Sequence, residues 1–414
     1  MSCVEKDKGG YMSEPVCNLA GPGSKTERGH MWAWRNGLAS LAPFAGYSGL
    51  SLIYDALPPV LVEIARHFGG GATGQSVAQL ASSVPFFGVM VGGLIAGSII
   101  LRYGVKLPLL AALTIFGVSG SAGYFIDQAW LLICSRALLG FAVGVMMTCG
   151  SSDVALRYDD VGKARFSGWL LAWGCFTGIF FVLIAGYVAT AFSWRAPFIL
   201  HLVVALAFLL PTLAMGKASV CKKPQPLLAD LERLKPAWPV YVTAVTLFSI
   251  QTMFFFQSSF LLTEAGFGSP ALIGWIFAMT GVSATIAAFA FGQFSAKISP
   301  VRSVKFGLAM FGCGIALTAC SHSLPAFVVS LCVYSGGSAL TQASLFARIM
   351  QVCPANLAPR ALGFVTTSLY FGGSIGPVIL APLLWYLDLR VLFLLLASIV
   401  ALWLSGAAIR SRMA

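Results

Sequence analysis

Apolar residues fall in twelve long runs along this chain, each closed by a short polar stretch or by Pro and Gly. The runs lie near 37 to 62, 75 to 100, 107 to 126, 129 to 151, 166 to 190, 195 to 215, 238 to 263, 271 to 295, 303 to 321, 325 to 347, 361 to 385 and 389 to 408. Roughly 20 residues rising 1.5 Å each cross the ~30 Å hydrocarbon core of a bilayer, so the pattern predicts twelve membrane-spanning helices. The runs are too long for the ~10-residue alternating strands of a barrel, and only helices and closed barrels satisfy their backbone polar groups inside lipid. The expected fold class is an all-α integral membrane protein.

The polar stretches set the domain organisation. Residues 1–35 are rich in Gly, Lys and Glu, hold too little apolar surface to order themselves, and read as a disordered cytoplasmic tail. A signal peptide is not expected, because the first apolar run starts only near Asn36, is too long and lacks a small-x-small cleavage site. Met12 and Met31 are alternative starts of translation. The longest internal polar stretch, 216–236, carries Lys217, Lys222, Lys223, Arg233 and Lys235 among three prolines and divides the runs six and six. It reads as a cytoplasmic loop between an N-terminal bundle, 36–215, and a C-terminal bundle, 237–410. An offset of 195 carries Gly97 onto Gly292, Arg102 onto Lys297, Arg165 onto Arg360, Gly168 onto Gly363, Gly178 onto Gly373, Arg195 onto Arg390 and Phe198 onto Phe393. We read a duplicated six-helix unit.

Composition agrees and charge adds orientation. The chain is 58% hydrophobic and 10% charged, and its mean hydropathy is +0.86. So few charges cannot coat a water-soluble fold of this length. The net charge of +12 would suggest a polyanion partner if the cations formed one patch. With both termini inside, however, all 26 Lys and Arg except Arg66, Arg136, Arg195 and Arg390 fall on the inner side. The charge is therefore a topology marker facing anionic lipid, and nucleic-acid binding is not expected. The ten cysteines, Cys3, Cys17 and Cys221 among them, fit neither a disulfide framework nor a metal site and read as packing residues. Trp32, Trp34, Trp194, Trp238 and Trp385 fall near predicted helix ends, as interface anchors do.

Three motifs carry a resemblance. The segment Gly97-Ser-Ile-Ile-Leu101-Arg102-Tyr-Gly104-Val-Lys106 follows the second span, Arg136-Ala-Leu-Leu-Gly140 lies in the fourth, and Asp55-Ala-Leu-Pro58-Pro59 lies in the first. Together with the six-plus-six pattern they resemble the major facilitator superfamily over about residues 36 to 410, most closely its twelve-helix drug:proton antiporter branch. The resemblance implies two pseudo-symmetric six-helix bundles around a substrate cavity. It implies a conformational gate at Gly97, Arg102, Gly104, Lys106, Asp153, Arg165, Lys297 and Arg360, with Asp153 able to hold Arg102. Leu101 stands where the family usually has Asp, and Val105 where it has Arg, so half of that charge relay is missing. The Pro of the branch's G-x-x-x-G-P pattern is absent after Gly178 in the fifth span and appears instead as Pro377 in the eleventh.

Candidate chemistry rests on two intramembrane charges, Asp55 and Arg136. Ser48, Ser51 and Asp55 share one helix face. Desolvation and a nearby cation pull the protonation of a membrane carboxylate in opposite directions, the balance a proton carrier needs, so Asp55 is expected to exchange a proton with substrate and Arg136 to tune it. Gly140 and Gly144 sit four apart and permit close helix approach. Ser51, Tyr54, Trp173, Gln251, Phe255, Tyr334, Gln342 and Tyr370 are the expected cavity residues, a neutral and aromatic set suited to a neutral, cationic or amphipathic solute. His201 reads as a packed core residue.

No P-loop, HExxH, dinucleotide fingerprint or Cys/His cluster is present, so an enzyme is not expected. The expectation is a monomeric secondary transporter in the inner (plasma) membrane, with a small-molecule substrate, protons and lipid as partners and no cofactor or metal. Proton-coupled efflux is the leading reading. Import of a small organic acid or siderophore, with Arg136 holding the anion, is the alternative, and a channel or receptor is a further rival.

Overall fold

The computed structural model describes residues 37–158, 160–216, 237–294, 300–353 and 358–413. Residues 1–35 and most of 216–236 lie outside these, as do Lys297 and the side chain of Arg360. The described chain is helical throughout: α1 (Phe44–Asp55), α2 (Leu61–His67), α3 (Gly71–Tyr103), α4 (Lys106–Ala122), α5 (Ala129–Arg157), α6 (Asp160–Ala191) and α7 (Leu200–Ala214), then α8 (Trp238–Glu264), α9 (Pro270–Phe294), α10 (Pro300–Ala319), α11 (Leu324–Val352), α12 (Ala358–Leu380) and α13 (Leu389–Met413). Among the described residues ten helical spans are long and apolar enough to cross a bilayer, the first of them, Gly37–His67, counted through the turn that interrupts it, and two shorter apolar helices, Lys106–Ala122 and Leu389–Ser405, stand at the third and twelfth predicted spans.

The first predicted span is not one helix. α1 stops at Asp55, a 3-10 turn covers Pro58–Val60, and α2 carries the chain to His67, beyond the predicted end. Pro58 and Pro59 supply no N–H for the helix ladder and clash with the carbonyls four residues back. Several helices outrun their apolar runs: α5 reaches Arg157 and α11 reaches Val352. Helical hydrogen bonding need not stop where the hydrocarbon does.

Close packing is made by missing side chains. A Cβ at Gly140 would lie 2.0 Å from the Pro85 carbonyl oxygen, and one at Gly144 would lie 2.2 Å from that of Val89. The α3 and α5 backbones therefore touch, the approach that small residues four apart allow.

The two sets of helices repeat each other's contacts. Ser51 Oγ in α1 donates to the Gly174 carbonyl in α6 at 2.8 Å, and Ser249 Oγ in α8 donates to Gly372 in α12 at 3.0 Å, each pair 123 residues apart. Arg195 donates to the Tyr124 carbonyl at 3.4 Å and Arg390 to that of Ala319 at 2.6 Å, partners related by the same offset of 195.

We call the ends of the bundle carrying the α2–α3, α4–α5 and α8–α9 connections the outer ends. There, Gln257 Nε2 in α8 donates to Gln79 Oε1 in α3 at 2.7 Å, both fully buried, and the Ala271 N–H donates to Thr190 Oγ1 at 3.1 Å. Arg195 bonds Asp127 and lies 3.2 Å from His67 Nε2, tying three outer connections together. That hydrogen bond, and then the guanidinium charge, hold the exposed Asp127 carboxyl below the usual carboxylate range.

Candidate functional site

α1 and α6 are joined by a polar seam. Trp173 Nε1 donates to Ser48 Oγ at 2.7 Å, Ser51 Oγ donates to the Gly174 carbonyl, and Thr177 Oγ1 donates to Ser51 Oγ at 3.3 Å. Continuing one turn along the same face brings Asp55 against Gly178, where a Cβ would lie 2.5 Å from Asp55 Oδ2. Only a glycine leaves room for the carboxyl there. Among the described residues that carboxylate has no hydrogen-bond or ion-pair partner.

Asp55 opens into a cavity of about 310 Å3 whose far wall comes from α8, α9 and α11. Gln251 and Phe255 approach from α8, Phe277 and Thr280 from α9, and Tyr334, Ser338 and Gln342 from α11. The ring of Tyr54 stacks on Phe255 at 4.4 Å between centroids, and Phe277 meets Phe255 edge-on at 4.7 Å. One amide network lines the polar side: Gln342 Nε2 donates to Gln251 Oε1 at 3.0 Å and Ser338 Oγ at 3.2 Å. Gln251 Nε2 donates to Tyr54 Oη at 3.4 Å, and Tyr334 Oη donates to the Gln251 carbonyl at 3.1 Å. Fixed amides and hydroxyls beside aromatic faces orient a polar organic solute.

Of the expected cavity residues, Tyr54, Gln251, Phe255, Tyr334 and Gln342 line this space with Asp55. Ser51 and Trp173 instead hold the α1–α6 seam behind it. Tyr370 lies further inward, its Oη 3.7 Å from Met147 Sδ and its ring stacked over Phe86 at 6.4 Å. Thr280, Ser335 and Cys175 were not expected in the cavity. Thr280 begins the small polar face Thr280-Gly281-Val-Ser283-Ala284 of an otherwise apolar span, which was the available signal. The Gln79–Gln257 pair was also missed, although an amide inside a bilayer demands a partner.

Arg136 is not brought to Asp55. It is 1% exposed, and its guanidinium donates to the Gly120 carbonyl at 2.7 Å and that of Ser119 at 3.2 Å and lies 4.9 Å from the Phe198 ring centroid. It shares a small hollow with Ile53, Leu57 and His201, on the other side of α1 from Asp55. An arginine snorkels or pairs where it can, and the α4 carbonyls are within reach. His201 is buried with its Nδ1 2.9 Å from the Phe198 carbonyl.

Among the described residues, the expected gate residues do not form one relay. Asp153 pairs with Arg157 one turn along α5 at 2.8 Å rather than with Arg102, whose guanidinium lies 5.4 Å from the Tyr103 ring. The i to i+4 spacing gives Arg157 the shorter reach. Lys106 Nζ donates to the Leu213 and Met215 carbonyls, the latter at 2.8 Å, and so caps the C-terminal end of α7. Gly104 turns the chain between α3 and α4 at φ 73°, which glycine adopts without strain. Gly97 has open space beside it, and Arg165 lies 5.9 Å from the Trp169 ring.

Comparison with known proteins bears on this arrangement. A family profile described as Major Facilitator Superfamily matches residues 39–377 and, a second time, 243–412. The Saccharomyces cerevisiae protein named "Probable metabolite transport protein YDR387C" is 27% identical over 136 residues, 32% of this chain, and the match spans about a quarter (24%) of that relative's length. The crystal structure of nucleoside transporter NupG superposes with a TM-score of 0.72 at 14% identity, over 90% of this chain and 99% of that one. A D-xylose-proton symporter gives 0.66 at 14% identity over 90% and 97%, and a peptide transporter of the POT family gives 0.70 at 16% over 91% and 94%. At these identities the likeness is one of fold. None of these matches singles out the drug:proton antiporter branch.

Proposed function

Because the chain belongs to the Major Facilitator Superfamily, and is a multi-pass membrane transporter of small solutes rather than an enzyme, we propose that it moves a small organic cation by alternating access in exchange for a proton carried on Asp55. The observation that carries this reading is the Asp55 carboxylate on the wall of a cavity with no cation among its described lining residues. An acid beside the faces of Tyr54, Phe255 and Phe277 is a recognition set for an ammonium group. A proton and an organic cation compete for the same carboxylate, so loading one expels the other. That competition is exchange, and an inward proton gradient then drives efflux.

The rival reading, import of an organic acid or siderophore, needed Arg136 as the anion's partner, and that guanidinium is turned to the α4 carbonyls. A second reading keeps support from the amide network: symport of a proton with a neutral hydroxylated solute, the kind of coupling named for the D-xylose-proton symporter.

Proteoliposomes loaded at acid pH test the choice with a panel of quaternary ammonium compounds, which do not cross lipid as free bases, and of neutral polyols. Exchange predicts accumulation of a quaternary cation that a protonophore abolishes and that Asp55→Asn loses. Normal pH-driven flux in Asp55→Asn would sink the assignment, and uptake of polyols alone, in vesicles loaded at alkaline pH so that the proton gradient points inward, would select symport.

A further inference from the structure

The hydrogen bonds of the central cavity run in one direction, and a backbone carbonyl fixes it. The Tyr334 hydroxyl in α11 donates its one hydrogen to the Gln251 carbonyl in α8 at 3.1 Å. A carbonyl can only accept, so that hydrogen is committed. The Tyr54 hydroxyl in α1 is hydrogen-bonded to that of Tyr334, and the hydrogen between them must therefore come from Tyr54. With its hydrogen so placed, Tyr54 Oη can only accept from Gln251, whose Nε2 stands at 3.4 Å. Which end of a glutamine amide faces which neighbour is decided by such a network. Gln251 turns Nε2 to Tyr54 and Oε1 to Gln342, and Gln342 answers with its own Nε2 at 3.0 Å.

The same Nε2 donates to Ser338 Oγ at 3.2 Å, so both N–H bonds of the Gln342 amide are occupied. What Gln342 has left is Oε1, a pure acceptor, half-buried on the cavity wall and without a partner among the described residues. Its neighbours show the same polarity. Ser335 Oγ donates to the Thr280 carbonyl at 2.9 Å and Thr280 Oγ1 to the Phe277 carbonyl at 2.7 Å, so each offers the cavity lone pairs only. On α1 stands the Asp55 carboxylate, an acceptor as well. An ether or ester oxygen finds no donor among these four groups. A hydroxyl or an amine does find acceptors.

We propose that the solute of this cavity is a small ammonium compound carrying a second hydrogen-bond donor, an O–H or N–H group, that Gln342 Oε1 accepts. Such a solute touches both halves of the protein at once, the first at Asp55 and the second at Gln342. A cavity of about 310 Å3 is at the small end of ligand pockets and suits an alkanolamine or a diamine. The ammonium end rests on the reading of Asp55 given above, whereas the donor end rests on the hydrogen-bond direction along α8 and α11 alone.

Matched compounds test it. Trimethylammonium compounds with an ω-hydroxyalkyl arm of two to six carbons are each paired with their methyl ether, which keeps the charge and the oxygen and loses only the donor. Purified full-length protein in detergent at alkaline pH is melted over a range of each compound, and the concentration dependence gives its affinity. Leaving a half-buried acceptor unpaired costs enough that the alcohol should bind on the order of ten-fold tighter than its ether at the best arm length. Gln342→Leu removes the acceptor and should bring that ratio close to one. Tyr334→Phe leaves Gln342 in place but takes away the hydrogen that sets the direction; Tyr54 then donates to Gln251, both amides turn over, and the preference for the alcohol should be lost or reversed. The two variants act at different residues, so misfolding of one leaves the other to decide. Absence of binding by every cation would sink the Asp55 reading, and a neutral diol against its monomethyl ether then reads the donor preference by itself. Equal binding of donor and ether at every arm length, or a ratio undiminished in either variant, would overturn the proposal.

Discussion

Gly178→Ala separates the chemistry of the central cavity from the stability of the fold. The added methyl would start 2.5 Å from Asp55 Oδ2, and the three heavy atoms nearest it all belong to that carboxyl group. Ordinary contact begins near 3.4 Å, so the carboxylate must retreat by about 0.9 Å. What moves is the end of a side chain, and rotating it off its preferred angle costs about 0.5–1.5 kcal/mol. The backbones of α1 and α6 need not part, because the Ser51 to Gly174 bond lies a full turn away. Displacing a reacting group by about 1 Å can nevertheless cost roughly 100-fold in rate. The variant is therefore expected to be made, inserted and melted like the parent, within about 1.5 kcal/mol, while its pH-driven flux in proteoliposomes falls at least ten-fold. Wild-type flux with an unchanged pH profile would refute the placement of Asp55 as the exchanging group. A collapse of thermal stability would refute the claim that only a side chain stands in the way.

Three further outcomes follow from the same geometry. Gly140→Ala meets the Pro85 backbone at 2.0 Å rather than a movable side chain, so it should cost about 3 kcal/mol or more in thermal unfolding in detergent, at the upper end of overpacking effects. Arg136→Ala removes two charge-assisted hydrogen bonds to the α4 carbonyls and should destabilise by about 3 kcal/mol, while the pH midpoint of transport by the surviving protein stays where it was; a moved midpoint would restore a link to Asp55. Asp127 is held below the usual carboxylate range by Arg195, so its contribution to stability is present above the ordinary value of about 3.9 and is lost as pH falls through the lower folded value. A melting temperature measured from pH 6 to pH 3 should show that acid-side loss in the parent and a smaller one in Asp127→Asn.

The helices were legible because a bilayer leaves the backbone few choices: an apolar run of about 20 residues must be a helix, and its length says so. The break after Asp55 was written in Pro58 and Pro59 but was overridden by the continuous apolarity around them. Asp55 itself could be read as chemically exceptional, since a lone acid in an apolar run has no structural reason that composition supplies. What no one-dimensional pattern conveys is which side of a helix a charge takes. Arg136 could be seen as intramembrane, but its choice of the α4 carbonyls over Asp55 depends on how α4 and α5 lie against α1. The same holds for Asp153, which takes Arg157 on its own helix instead of the more distant Arg102. Cavity residues were legible where polar side chains recur on one face, as Tyr334, Ser338 and Gln342 do, and hidden where the lining is small, as at Gly178 and Gly281.

The most direct measurement is proton release on solute binding. Purified protein in weakly buffered detergent, held at a pH where the cavity carboxyl is protonated, is titrated with the first organic cation that the flux panel identifies, and a pH indicator counts protons. About one proton released per cation bound, and none in Asp55→Asn, is the result expected if both compete for Asp55. Saturable binding of the cation with no proton released, or the same release from Asp55→Asn, would contradict it.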